Sequence, residues 1–424
     1  MIWIIAGLGT ITTLLGTPLF VGLGGMALAL FAAAGISLTA VMLEMYRLVS
    51  SPALIALPLF AFAGSLLAEG RSATRLVALS QAWFGWLPGG LAIVALIASA
   101  LFTALSGGSG ITILALGGLL YPMLLSDHYS ERFALGLVTT SGSLGILFPP
   151  SLPLIVYGLV AQARIDHLFI AGILPGLLLM LLLALYASIV GMRARLPQRP
   201  WDPRVAWVTL WEAKWEILLL PLILIGIYGG FFTAGEVAAI AAAYVLVVEV
   251  FIYRDLSLTR DVPRIMVEST VLVGGILIIL GTALGLTSFL IDQQVPMRLL
   301  GIFEQTITSR TVFLILLNLF LLVVGCLMDV FSAIVVVVPL VVPIGEAFQI
   351  DPIHLGIIFL ANLELGYLTP PVGMNLFLAS YRFQKPLPEV CVAVLPMLAV
   401  FLVGVLLITY VPALTTTLPH WLSP

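Results

Sequence analysis

The sequence predicts an all-α polytopic membrane protein, an inverted-topology repeat with two re-entrant helical hairpins and two broken transmembrane helices. Of its 424 residues, 62% are hydrophobic and only 9% charged, with a mean hydropathy of +1.22. Water-soluble domains carry roughly 25% charge, so the solvent of this chain is a bilayer. An apolar stretch interrupted by Gly-x-x-x-Pro-Pro occurs twice, as Gly145, Pro149, Pro150 and as Gly366, Pro370, Pro371, 221 positions apart (370 − 149). The same offset pairs Pro122 with Pro343 and Pro175 with Pro396, so one gapless frame relates two long stretches. Glycine and proline breaks at matching places in two membrane-embedded halves point to a transporter's binding site, because unwound helices expose backbone carbonyls and helix ends there.

Apolar segments of roughly 17 to 25 residues cross the hydrocarbon core. Ten such crossings fall near 2–16, 18–36, 52–70, 130–160 (broken), 168–192, 215–232, 234–253, 266–290, 352–381 (broken) and 387–413. The segment Met1 to Thr17 is apolar and lacks a basic n-region, which predicts a retained span. Two further apolar stretches, 89–126 and 311–348, turn midway, at Ser106 to Gly110 and around Gly325 to Asp329. Five consecutive small residues give the first reversal free backbone donors; the second follows from the repeat frame. The stretches 74–87 and 294–310 mix polar and apolar residues at equivalent places and read as interfacial helices. Trp201, Trp207, Trp211 and Trp215 flank the central basic loop as interface anchors.

Four regions follow: N-terminal scaffold helices over 1–50, a first repeat over 51–192, a central basic linker with scaffold helices over 193–264, and a second repeat over 265–424. Arg193, Arg195, Arg199, Arg204 and Lys214 crowd one loop and Arg254, Arg260 and Arg264 another, with two crossings between them. Both loops share a side, and the positive-inside rule makes it cytoplasmic. Counting outward places both termini in the periplasm. Five crossings separate equivalent points, and an odd number inverts the second copy.

Composition also excludes. A net charge of −3, with basic residues confined to loops, gives no nucleic-acid stripe. Cys326 and Cys391 lie in apolar segments without a CxxC or His partner and read as inert thiols. No HExxH and no GxSxG is present, and His128, His167 and His354 fall in predicted loops, which leaves an intramembrane enzyme a distant alternative.

The chemistry-bearing residues cluster at the breaks. A cation in hydrocarbon needs oxygen ligands, and a helix broken by Gly and Pro frees main-chain carbonyls, here around Gly145 to Phe148 and Gly366 to Thr369. The Ser106 and Ser109 hydroxyls complete an oxygen cage in the first half. Asp329 lies in an apolar run with no basic neighbour; a carboxylate at mid-membrane costs roughly 2.5–3.5 kcal/mol, so it faces a cavity, an ion or the free amides of the returning half-helix. Glu236 reads equally as a helix cap or a functional acid.

The sequence resembles the large membrane subunit of the tripartite ATP-independent periplasmic (TRAP) transporters over nearly its whole length. The resemblance is carried by Ala104-Leu-Ser-Gly-Gly-Ser-Gly110, Thr140-Ser-Gly-Ser-Leu-Gly-Ile-Leu-Phe-Pro-Pro-Ser151, Gly325-Cys-Leu-Met-Asp329 and Asn362-Leu-Glu-Leu-Gly-Tyr-Leu-Thr-Pro-Pro-Val-Gly-Met-Asn-Leu-Phe377. It implies a scaffold of outer helices and a transport core of hairpins and broken helices moving as an elevator. It implies no cofactor beyond sodium as coupling ion: Ser106, Ser109, Gly145, Phe148 and Pro150 at one site, Gly325, Met328, Gly366, Thr369 and Pro371 at a second. Asp329, Gly108 and Ser151 fall at the implied substrate positions, although the family often has Ser where this chain has Gly108. The implied partners are a small four-helix membrane subunit, a periplasmic substrate-binding protein and a small organic anion such as a carboxylate. A self-sufficient ion-coupled carrier or anion exporter of the same fold is the alternative.

Overall fold

The structure is a computed structural model that describes residues 17–50, 52–194, 200–295 and 309–422, with Gly7, Gly9, Ile11, Thr12 and Gly301 as isolated positions. Most of the crossing expected at 2–16 and most of the interfacial stretch expected at 294–310 lie outside these residues. Among the described residues every regular element is helical. The scaffold begins with α1 (Leu19–Ala33), α2 (Thr39–Val49) and α3 (Ala56–Glu69), followed by the arm α4 (Ser72–Phe84). The first hairpin is α5 (Gly90–Ser106), α6 (Ser109–Ala115) and α7 (Gly117–Ser126), and the first broken helix is α8 (Glu131–Ser141) and α9 (Leu152–Ala161). Next come α10 (Ile165–Arg193), α11 (Pro203–Glu212), α12 (Lys214–Tyr228), α13 (Ala234–Val247) and α14 (Asp261–Asp292). The second hairpin is α15 (Arg310–Leu327) and α16 (Val330–Ala347), the second broken helix α17 (Pro352–Gly366) and α18 (Met374–Phe383), and the chain closes with α19 (Leu387–Tyr410) and α20 (Ala413–Leu422).

The repeat is visible in how helices start and stop. Ser130 caps α8 by accepting from Phe133 N, and Asp351 caps α17 by accepting from Ile353 N and His354 N; the two caps are equivalent in the repeat (351 − 130 = 221). Two residues earlier in each half, His128 and Gln349 hold positive φ values of 64° and 57°. Each broken helix then meets its Pro-Pro pair, joined in both cases by a cis peptide bond. A prolyl nitrogen cannot donate, so the helical ladder stops.

Packing is closest where the breaks pass the hairpins. A Cβ on Gly366 would lie 2.5 Å from the Gly325 carbonyl carbon and 2.9 Å from Cys326 N. In the first half, a Cβ on Gly145 would lie 2.6 Å from Ala104 N. Only glycine permits either approach. The halves also interlock, with α8 against α19, α9 against α16, α6 against α18 and α10 against α17. Around them α14 packs on α1, α2 and α3, and α3 on α13.

The arm α4 is pinned to the scaffold by ion pairs. Arg75 contacts Glu216 of α12, Asp255 Oδ2 at 2.6 Å and Glu249 Oε1 at 3.1 Å. The Glu216 and Glu249 side chains are both 0% exposed, which makes the arginine their counter-charge, and its guanidinium stacks 3.6 Å over the Tyr253 ring.

Six helices are long and apolar enough to cross a bilayer singly: Ile165–Arg193, Ala234–Ile252, Asp261–Asp292, Arg310–Leu327, Val330–Ala347 and Leu387–Tyr410. Both arms of the second hairpin are among them. The returning arm of the first qualifies only as the pair α6 and α7, bent by 51°. Several elements differ from expectation. The helix α2 was unforeseen because Glu44 and Arg47 interrupt its apolar run; its Val41 and Leu48 are buried, with Val41 beside Gly285 of α14. The hairpin turns are tighter than the sequence suggested: Ser109 and Gly110 are already helical, as is Gly325. The last crossing ends at Tyr410, and a separate helix follows Pro412. His354 is no loop residue but a buried member of α17, its Nδ1 2.8 Å from Thr415 Oγ1, and His167 lies in the first turn of α10. Glu236 is resolved as a cap, forming a capping box with Thr233.

Candidate functional site

A cavity of about 420 Å³ lies where the two hairpin tips, both breaks and the scaffold meet. The first half contributes Ser106 to Ile111 from its hairpin tip and Ile146, Leu152 and Pro153 from its broken helix. The second half contributes Val330 and Phe331 from its hairpin and Tyr367 and Met374 from its broken helix. The scaffold wall is Ala61, Ser65, Ala68 and Glu69 of α3 with Glu268, Ser269 and Leu272 of α14. The volume suits a small solute, and the lining is mostly apolar with a few hydroxyls and two carboxylates.

Residues expected at the first ion site lie at the first hairpin tip and along the break that follows it. Gly107, with φ 75°, ends α5 in the left-handed conformation, and Gly108 precedes α6, which sets Ser106 and Ser109 on either side of the tip. The Ser106 hydroxyl is buried and without a partner among the described residues. Ser109 Oγ donates to Asn375 Oδ1 at 3.0 Å, so the first hairpin is tied to α18 of the other half. Thr103 links hairpin to break, its hydroxyl 2.9 Å from the Gly142 carbonyl and 2.7 Å from Thr112 Oγ1. Gly145 packs on α5, while Phe148 and Pro149 line a separate apolar cavity of about 250 Å³ with Leu220 and Leu224. Pro150 completes the cis pair.

The second set is equally compact. Gly325 and Gly366 touch, Gly373 N donates to Cys326 O at 3.0 Å, and Thr369 Oγ1 donates to Leu365 O at 2.9 Å. Met328 forms the turn with Asp329, and Pro371 completes the second cis pair. One detail corrects the expectation of free carbonyls. Gly145 O accepts from Phe148 N at 3.1 Å and Gly366 O from Thr369 N at 3.0 Å, because each break tightens into turns before the prolines. A carbonyl has two lone pairs, so each oxygen retains one for a cation.

The expected substrate residues divide. Gly108 lines the cavity. Asp329 sits beside it but caps α16, accepting from Phe331 N at 3.0 Å, Ser332 N at 3.1 Å and the Ser332 hydroxyl. Its carboxylate is thus held by the free amides of the returning half-helix. Ser151 is buried and caps α9, accepting from Leu154 N at 3.4 Å. Sequence reasoning missed Tyr367, whose hydroxyl accepts from Val330 N, and Asn375; both stand inside the second motif but in no ligand pattern. It also gave no role to Glu364. That side chain is 1% exposed, and neither carboxylate oxygen has a hydrogen-bond partner among the described residues.

A family profile described as "Tripartite ATP-independent periplasmic transporter, DctM component" matches residues 6–414. The chain belongs to this family. A C4-dicarboxylate TRAP transporter large permease protein DctM from Pseudomonas aeruginosa is 38% identical over 371 residues, covering 87% of each chain. A protein of the same name from Rhodobacter capsulatus is 34% identical over 436 residues, covering 99% of each. An isethionate TRAP transporter permease protein DctMQ from Oleidesulfovibrio alaskensis is 34% identical over 94% of this chain and 63% of its own length. In fold the chain is similar to the crystal structure of the YdaH transporter of Alcanivorax borkumensis, with a TM-score of 0.62 at 14% identity over 95% of this chain and 97% of that one. As a DctM component the chain is a multi-pass transporter subunit, and the intramembrane enzyme falls away.

Proposed function

We propose that this DctM component imports a small organic anion, a carboxylate first of all, by sodium symport across the bacterial inner membrane, with both termini periplasmic. The observation that carries the reading is the shared cavity: both breaks and both hairpins contribute to one space, where the Ser106 hydroxyl has no partner among the described residues. Relatives are named for C4-dicarboxylates, for isethionate and, in Ruegeria pomeroyi, for ectoine and 5-hydroxyectoine, the last at 36% identity. A small acid fits that range. A periplasmic binding protein delivers the substrate and a small four-helix membrane subunit completes the permease. The DctMQ name of the isethionate relative, in which this chain spans 63% of the length, supports the second partner.

Sodium would be held by Ser106, Ser109, Gly145, Phe148 and Pro150 in the first half and by Gly325, Met328, Gly366, Thr369 and Pro371 in the second, chiefly through carbonyls. The partnerless Ser106 hydroxyl at the cavity fits such a ligand. Magnitudes favour two ions. Each sodium ion moving down about 100 mV and a tenfold gradient supplies roughly 3.7 kcal/mol, while concentrating a monoanion a thousandfold against that potential costs roughly 6.4 kcal/mol. The core of hairpins and broken helices carries the cavity across by an elevator movement against the scaffold.

The test is uptake of radiolabelled organic acids into proteoliposomes holding this chain and its small membrane partner, with and without binding protein and an inward sodium gradient. Accumulation is expected only with both. Sodium-driven accumulation without binding protein would identify a self-sufficient carrier instead.

A further inference from the structure

We propose that the N-terminus of α18 seats the carboxylate of the transported anion, with the Asn375 carboxamide as the specificity-determining donor. This rests on the transport reading above. α18 is ten residues long and starts after Gly373, whose φ is 51°, with no side chain capping it. The first-turn amides of Met374 and Asn375 have no carbonyl to reach within their own helix, and the helix dipole favours an anion there.

The independent observation is the Asn375 side chain. It is 0% exposed, its Oδ1 accepts the Ser109 hydroxyl at 3.0 Å, and its Nδ2 has no partner among the described residues. An idle buried amide costs free energy unless a ligand takes it up. The residues against it, Ser109 and Met374, both line the 420 Å³ cavity. Asn375 is not itself a lining residue and meets the cavity through these two neighbours.

The other half shows what a sealed version looks like. α9 also starts at this cavity, through Leu152 and Pro153, but Ser151 caps it. Where α18 has Asn375, α9 has Leu154 (375 − 221). Of two half-helix ends at one cavity, one is closed and apolar and the other is open with a spare donor. Acidic groups around the space are already engaged: Glu69 and Glu268 pair with Arg264 at 2.7 and 3.2 Å, and Asp329 is held by Phe331 N and Ser332 N. The open end of α18 thus joins the partnerless Ser106 hydroxyl as a polar seat at this cavity, and because Asn375 also holds Ser109, the arrival of an anion is felt at the first hairpin tip.

The experiment is uptake of radiolabelled succinate, isethionate and ectoine by proteoliposomes with the complete system, comparing wild type with Asn375→Asp and Asn375→Leu. Aspartate keeps an oxygen for Ser109 but puts a negative charge where the donor was, whereas leucine removes the donor without adding charge, so the rise in KM must appear in both variants. A hydrogen bond to a charged group is worth about ten- to a hundredfold in affinity, so KM for the accepted probe should rise by about that factor, with maximal rate and protein yield within about twofold. Should Asn375→Asp fail to reach the membrane, Asn375→Ser is measured on the same scale. An unchanged KM, or a loss confined to maximal rate, would overturn the proposal while leaving the transport reading standing. Silence of the wild type toward all three probes would overturn the reading and this site with it.

Discussion

The two halves of the core share a backbone frame and exchange their caps. In the first half the helix after the hairpin tip follows Gly108, which has no side chain to offer, and the helix after the break is capped by Ser151. In the second half the corresponding hairpin helix is capped by Asp329, while the helix after the break, α18, has no side-chain cap. Equivalent positions differ in chemistry: Gly108 corresponds to Asp329, Ser143 to Glu364 and Leu154 to Asn375. Duplication has kept the geometry that breaks helices and let the chemistry diverge.

The comparison can be broken most severely at the arm. Arg75 has no counterpart in the second half, where the equivalent position is Pro296. Arg75→Met should cost about 3–5 kcal/mol, because two buried carboxylates lose their counter-charge; a thermal-unfolding midpoint in detergent equal to wild type would refute this. Next come the glycine contacts. Gly366→Val and Gly145→Val should each cost about 1–3 kcal/mol by forcing hairpin and break apart, with loss of uptake, and equal damage from the two would show that both halves depend on close approach.

Asp329→Ala should cost about 0.5–2 kcal/mol as a lost cap and abolish uptake while the protein still inserts. Asp329→Ser, able to cap as Ser151 does, should recover folding stability; whether it also recovers uptake separates capping from charge. The smallest effect is expected for Ser151→Ala, about 0.5 kcal/mol, since its single bond is long at 3.4 Å. A larger loss there would mean that the first half carries more of the ligand than its chemistry suggests.

Repeat and breaks were legible because glycine and proline act on the backbone locally, so Gly145, Gly366 and the Pro-Pro pairs announce themselves without tertiary context. Asp329 was legible as a residue with a task, and its spacing to Phe331 and Ser332 already contained the cap. Asn375 was not, since its meaning depends on Ser109, 266 residues away in sequence (375 − 109), and no local pattern encodes that meeting. The helix α2 was hidden for another reason. Glu44 and Arg47 line a pocket against α14 and α16 while Val41 and Leu48 are buried, and the two charges hold this short run below the hydropathy of a crossing.

The length of α14 fixes where the cavity sits in depth. Its 32 residues extend about 48 Å against a hydrocarbon core of about 30 Å. Residues 269–291 carry no Asp, Glu, Lys or Arg and make a run of about 35 Å, so Glu268 marks the waterline. The cavity is lined by Glu268, Ser269 and Leu272 and therefore opens beside that waterline, on the side of Arg264, well away from the midplane. On the proposed orientation, with the basic loops cytoplasmic, that side would be the cytoplasm. On the proposed elevator movement, this would be the discharging side, and the outward-facing counterpart would bring the same pocket toward the Ile291 end of the same helix.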